Sequence, residues 1–179
     1  MLKIAVVGTR GFPGVQGGVE THCEQLYTRL AEYGCNITVF TRKPYVKQDI
    51  RSYKGVTLIP VNCPKHKLFE AIIHTFKSIL IAARQRPNIL HIQGIGPSLF
   101  APLGRILGMK VVVTNHGENY KHLKWGFSSR LFLRFCEAVG MLFSNRIIAI
   151  TEQIALSVKK KYYKLPVIIP NGVNITTPS

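Results

Sequence analysis

Acidic residues are scarce. Eight Asp and Glu stand against 24 Lys and Arg, a formal net charge of +16 over 179 residues. Such an excess says nothing about fold, but it narrows the partners to phosphate-rich ligands, nucleic acid and anionic membrane surfaces. Cysteine is sparse as well, and Cys23, Cys35, Cys63 and Cys136 form no C-x-x-C pair. That excludes zinc ribbons and dithiol redox motifs, and the thiols read as reduced, buried side chains of a cytosolic protein. No two histidines stand at ligand spacing with a carboxylate, so no metal site is expected. The longest uncharged stretch, residues 87–104, is broken by Pro97 and Pro102. A spanning helix needs about 20 mostly apolar residues, so no membrane crossing is expected. Low-complexity segments and internal repeats are lacking, and Met1-Leu2-Lys3 does not open a signal-peptide layout. The expected location is the cytoplasm, with peripheral attachment at the inner face of its membrane as the only membrane role.

What is present is core material: 46% of residues are hydrophobic and 18% charged, which argues against disorder. Short runs rich in β-branched residues alternate with amphipathic ones. Strands are expected at residues 3–8, 36–41, 56–61, 89–92, 111–114, 146–150 and 167–169. Helices are expected between them. Residues 64–86 carry Phe69, Ile72, Ile73, Phe76, Ile79 and Leu80 on a helical stripe. A further helix, capped by Ser128 or Ser129, has Leu131, Phe132, Phe135, Cys136, Val139, Leu142 and Phe143 as its stripe. Thr151 caps a last helix, and residues 42–54 read as a basic loop. This alternation specifies an α/β, Rossmann-like, doubly wound and mainly parallel sheet of about seven strands with helices on both faces. Ligands of such sheets sit outside the carboxyl ends of the strands. Loops 9–18, 93–96 and 115–120 leave those ends and should line one crevice.

The first of these loops runs from Gly8 to Gly17-Gly18-Val19-Glu20 and is neither G-x-G-x-x-G nor a Walker loop. Gly17 and Gly18 precede a helix, so bare backbone N–H groups and the helix field offer a seat for an anion. The plain alternative is a tight strand-to-helix turn with no ligand, and Glu20 is then a first-turn acid that suits the helix dipole. A nicotinamide dinucleotide site would want an acid at the end of the second strand, where Thr41-Arg42-Lys43 stands. His116 follows the fifth strand beside Gly117 and Glu118, so an imidazole should project into the crevice near Gln93 and Gly94. His91 reads as a core histidine, and His22 faces either way. Glu20 and Glu118 are the carboxylates expected near the crevice.

Taken in order, Gly17-Gly18-Val19-Glu20, Gly34-Cys35-Asn36-Ile37-Thr38-Val39, Thr114-Asn115-His116-Gly117, Ile150-Thr151-Glu152 and Ile169-Pro170-Asn171-Gly172-Val173 resemble family 4 of the GT-B glycosyltransferases. Thr9-Arg10-Gly11-Phe12-Pro13 and Lys124-Trp125-Gly126 resemble its bacterial, rhamnosyltransferase-like members that build cell-surface polysaccharide. The resemblance implies that residues 1–170 are an acceptor-side N-terminal domain. Asn171 and Gly172 would open a linker, residues 171–179, to a second, donor-binding domain. It implies a retaining, metal-independent transfer from a nucleotide sugar to a glycan or lipid-linked acceptor, with no cofactor. Gly17 and Gly18 would lie against the donor diphosphate. Gln93, Gly94, Gly117 and Glu118 would line the substrate site, and His116 would be the catalytic crevice histidine. Gln93 stands where many members carry a second histidine. By itself this half is expected to transfer little or nothing. Lipid-linked acceptors make an anionic membrane surface a candidate partner for basic segments such as residues 42–54, 65–67, 121–134 and 159–161. Nucleic acid is not expected, because the aromatics fall on core stripes rather than among the cations. The alternatives are a non-catalytic basic domain that binds nucleic acid or membrane, and an NAD(P)-dependent oxidoreductase domain.

Overall fold

The computed structural model describes residues 1–46, 50–64, 69–117 and 126–172. Glu118, Lys124 and Trp125, and the basic residues 47, 65, 67 and 121, lie outside the described residues.

An eight-stranded sheet runs β3-β4-β2-β1-β5-β6-β7-β8. Its central strands are β1 (Lys3–Val7), β2 (Asn36–Arg42), β5 (Ile89–Gln93) and β6 (Lys110–Asn115). β4 (Val56–Val61) lies outside β2, and β7 (Arg146–Ala149) and β8 (Val167–Ile168) extend the other side. Every pairing is parallel except that of β3 (Ser52–Tyr53) with β4. The fold is the α/β, Rossmann-like arrangement read from the sequence. The extra strand β3 falls in the segment expected to be wholly loop. Two residues at a sheet edge leave no periodicity to read.

The parallel pairs need crossovers, and right-handed crossovers decide which face each helix takes. Helix α1 (Gly18–Glu32) connects β1 to β2 in one direction along the sheet. It covers one face, with Cys23 and Tyr27 packed on Ile4, Val6, Ile37 and Val39. Helices α2 (Phe69–Gln85), α3 (Ala101–Ile106) and α4 (Phe127–Phe143) progress the other way and cover the opposite face. There Ile79, Ala101 and Met141 pack on Val7, Leu90, Ile92, Val111 and Val113. Helix α5 (Glu152–Tyr162) adds Val158 to the same layer.

Two expectations about α4 are corrected. Its N-cap is Gly126 with no side-chain cap, and Ser128 and Ser129 stand inside the first turn. Its buried face is Leu133, Cys136, Glu137, Gly140 and Met141, whereas Leu131, Phe135, Leu142 and Phe143 are exposed. This helix is apolar nearly all round, so a hydrophobic period cannot choose a face. Backbone proximity chooses it. A side chain at Gly140 would overlap Ser98 in the 3-10 turn Pro97–Phe100 that precedes α3. The cap of α5 is as expected: Ile154 N donates to Thr151 Oγ1 at 3.2 Å.

Candidate functional site

Strand order turns around between β1 and β5, where successive connections leave in opposite directions. This is the switch point at which open α/β sheets receive ligands. The carboxyl ends of β1, β5 and β6 deliver the glycine loop, Gln93-Gly94 and His116-Gly117 to one rim.

The glycine loop passes directly over β5. Gly8 has φ 98°, and a Cβ there would overlap the Gln93 carbonyl. Phe12 anchors the loop from below, fully buried against the α1 side of the sheet. Gly17 and Gly18 then stand exposed at the start of α1, where the first N–H groups have no intrahelical partner. Glu20 folds back over Gly17: Arg10 N donates to its Oε1 at 3.1 Å, and the Arg10 Nε lies 4.0 Å away. The carboxylate is buried and clasps the loop to the helix, as the reading of it as a first-turn acid requires.

His116 is half-buried on the α1 side. Its Nε2 lies 2.7 Å from Gln93 Oε1, and its ring meets His22 edge-on with centroids 5.4 Å apart. His22 sits one helical turn beyond Gly18, so the imidazole and the glycine turn occupy the same end of α1. Burial, and then the charge of His22, push the His116 pKa down to about 4. It is therefore neutral at physiological pH. His91 is buried as expected, and its pKa falls to about 3 through burial and then the charges of His22 and His116. The loop holding His116 is fixed from the other face. Gly117 N donates to Asn115 Oδ1 at 2.9 Å, and Asn115 Nδ2 donates to Glu137 Oε1 at 3.3 Å.

A crevice of about 300 Å³ opens beside this rim, between α2 and α4. Arg10, Glu20 and Arg42 form its polar part, Ile72, Ile95, Phe132 and Leu133 its apolar part, and Gln93 and Gly94 lie between. Arg42 Nη1 donates to Glu70 Oε1 at 2.7 Å, and Tyr45 donates to Oε2 at 2.9 Å. Arg42 thus ends β2 already matched by a carboxylate.

Glu20, Gln93 and Gly94 line one crevice, and His116 joins its rim through Gln93 and meets His22, one helical turn from Gly18. Asn171 and Gly172 are exposed after β8. Glu118, proposed from sequence, is not among the described residues. Glu20 lines the crevice as expected, and two further carboxylates stand behind the rim, Glu70 on Arg42 and Glu137 on Asn115. Both are buried, Glu70 in the first turn of α2 and Glu137 within α4, and helical periodicity treats such an acid as a surface position. Tyr27 is a further polar group at this site that the sequence does not disclose, since its ring packs with apolar side chains and its hydroxyl meets His91 and Gln93 only in the fold. Among the described residues no group of three potential metal ligands occurs, and no helix is long and apolar enough to cross a membrane.

Comparisons with known proteins agree with this fold. The family that matches the chain is described as Glycosyltransferase Family 4, over residues 16–177. No curated protein matches in sequence. Among solved structures, sucrose-phosphate synthase from Thermosynechococcus elongatus superposes with a TM-score of 0.77 at 18% identity, over 97% of this chain and 49% of the synthase. A UDP-N-acetylglucosamine 2-epimerase gives 0.58 at 16% identity over 91% of this chain and 46% of its own. Arabidopsis thaliana UGT89C1 complexed with UDP gives 0.54 at 12% identity over 90% and 46%. The chain thus spans about half the length of the synthase.

Proposed function

The chain belongs to glycosyltransferase family 4, and from that premise we propose that it is the acceptor-side half of a retaining transferase of the bacterial, rhamnosyltransferase-like kind, working in cell-surface polysaccharide synthesis. The donor is a nucleotide sugar, the acceptor a glycan or lipid-linked glycan, and neither metal nor cofactor takes part. Residues 1–170 are this half, and residues 171–179 lead to a donor-binding domain. The observation that carries the reading is His116, a neutral imidazole held at the switch-point rim between Gln93 and His22, at the end of α1 that begins with Gly17-Gly18.

The first-turn N–H groups at Gly17 and Gly18 meet the leaving diphosphate, where a fixed donor array stabilises developing charge without reorganising. The mixed crevice between α2 and α4 receives the acceptor. Its apolar wall continues onto a helical layer that is itself unusual. Phe76, Leu80, Ile106, Leu131, Phe135 and Leu142 are exposed there, together with Lys77, Arg84, Arg105 and Arg134. The only carboxylates of α2, α3 and α4, Glu70 and Glu137, are buried. A face of apolar and cationic side chains without exposed acids suits an anionic lipid surface on the cytoplasmic side. That supports a lipid-linked acceptor and peripheral attachment. An oxidoreductase reading gains nothing, since Arg42 is committed to Glu70.

The test is sugar transfer. The complete polypeptide, supplied with a panel of UDP-, GDP- and dTDP-sugars and bacterial lipid extract, should label a lipid-linked product from one donor. Labelling that depends on no nucleotide sugar, or reduction of NAD or NADP instead, would overturn the proposal.

A further inference from the structure

Four buried side chains lead from the core to His116, and their donors and acceptors interlock. His91 Nε2 lies 2.7 Å from Thr114 Oγ1, and His91 Nδ1 lies 2.9 Å from the Tyr27 hydroxyl. Gln93 Nε2 donates to that hydroxyl at 2.5 Å, and Gln93 Oε1 lies 2.7 Å from His116 Nε2. Thr114, His91, Tyr27 and Gln93 are all buried.

With the Gln93 amide turned so that Nε2 faces Tyr27, 3.3 Å from His91 Nε2, and Oε1 faces His116, these partners follow one direction of donation. A buried tyrosine hydroxyl needs an acceptor for its proton. The Gln93 amide nitrogen is itself a donor, so the Tyr27 proton goes to His91 Nδ1. Neutral His91 then carries its proton on Nε2 and donates to Thr114. At the other end the Gln93 carbonyl can only accept, so Nε2 of His116 must bear hydrogen. The direction is collective. Reversing any link means turning the Gln93 amide and moving the proton on both imidazoles.

We propose that Gln93 is the positioning residue of this site: clamped by Tyr27, His91 and Thr114, it holds His116 as the Nε2–H tautomer and leaves the Nδ1 lone pair for a ligand. Nδ1 has no hydrogen-bond partner among the described residues. The inference rests on the proposed function only in taking this rim as the substrate site. It divides the labour there. His116 accepts a hydrogen bond from a sugar hydroxyl and does not donate to phosphate, which falls to the backbone N–H groups of the glycine turn.

Nitrogen-15 imidazole NMR on this chain, with His116 assigned through His116→Gln, reads the tautomer without any substrate. The expected spectrum shows a single Nε2–H form with a slowly exchanging N–H proton. Tyr27→Phe frees the Gln93 amide to turn, and a mixture containing the Nδ1–H form should appear. Adding Gln93→Glu, whose carboxylate only accepts, should restore the single Nε2–H form in the Tyr27→Phe background. A merely structural role for Tyr27 gives no such rescue. If Tyr27→Phe does not fold, Gln93→Met should abolish the slow exchange of the His116 N–H. A wild-type spectrum dominated by Nδ1–H, or a tautomer and exchange rate indifferent to these substitutions, overturns the proposal. Absence of sugar transfer with the expected spectra intact would count against the functional reading and leave the relay standing.

Discussion

Three histidines lie where burial favours the neutral ring. Burial is the first cause for each, bringing His74 and His91 to about 3 and His116 to about 4 from 6.5. The nearby Arg42 charge adds to the effect at His74, while a hydrogen bond to the Thr41 backbone opposes it. Below pH 6.5 the unfolded chain takes up protons that the folded chain refuses, so stability falls as the medium is acidified. The fall continues down to about pH 4 and about pH 3, where the folded rings also protonate. Each ring contributes a slope of up to about 1.4 kcal/mol per pH unit inside that window. Urea midpoints at pH 7.5 and pH 5 should therefore differ, the lower value at pH 5, and equal midpoints would contradict the burial of these rings. At this scale the sequence disclosed position better than partnership. His116 and the glycine turn are legible, because a strand end followed by glycine exposes whatever stands there. The Gln93–Tyr27–His91 chain is not, since its members sit 66, 64 and 2 positions apart and meet only through the sheet.

Elements were legible where chemistry is local. The Thr151 cap of α5 needs only its own turn, and Gly34 closes α1 with φ 83°, as a helix-ending glycine should. The face of α4 is set by tertiary approach and escaped the periodicity. Gly140 is where that approach is tightest, so Gly140→Ala should push α4 from the Ser98 turn and cost about 1–3 kcal/mol by overpacking. A urea midpoint unchanged by that substitution would contradict the packing. The exposed side of α4 makes a separate prediction. Leu131→Asp with Phe135→Asp places acids on an apolar, cationic face without touching the core. Co-sedimentation with anionic vesicles at low salt should drop at least about fivefold, since each near-surface charge is worth about 1 kcal/mol. Equal recovery of wild type on neutral and anionic vesicles would sink the membrane reading.

For the whole molecule, alternating strand and helix patterns sufficed to specify a parallel sheet, and handedness then settles which helices share a face. Strand order follows less directly. The reversal between β1 and β5 depends on α2 carrying the chain from β4 across to the far side of β1, a long-range choice that no local pattern records. That reversal creates the rim on which the functional reading stands. The most direct test is kcat for sugar transfer by the complete polypeptide with His116→Ala, set against Lys110→Ala at the opposite edge of the same strand, β6. The account predicts a loss of at least about tenfold for His116→Ala, the range of positioned polar groups, and little change for Lys110→Ala. Normal turnover without the imidazole, or equal losses at both edges, would contradict it.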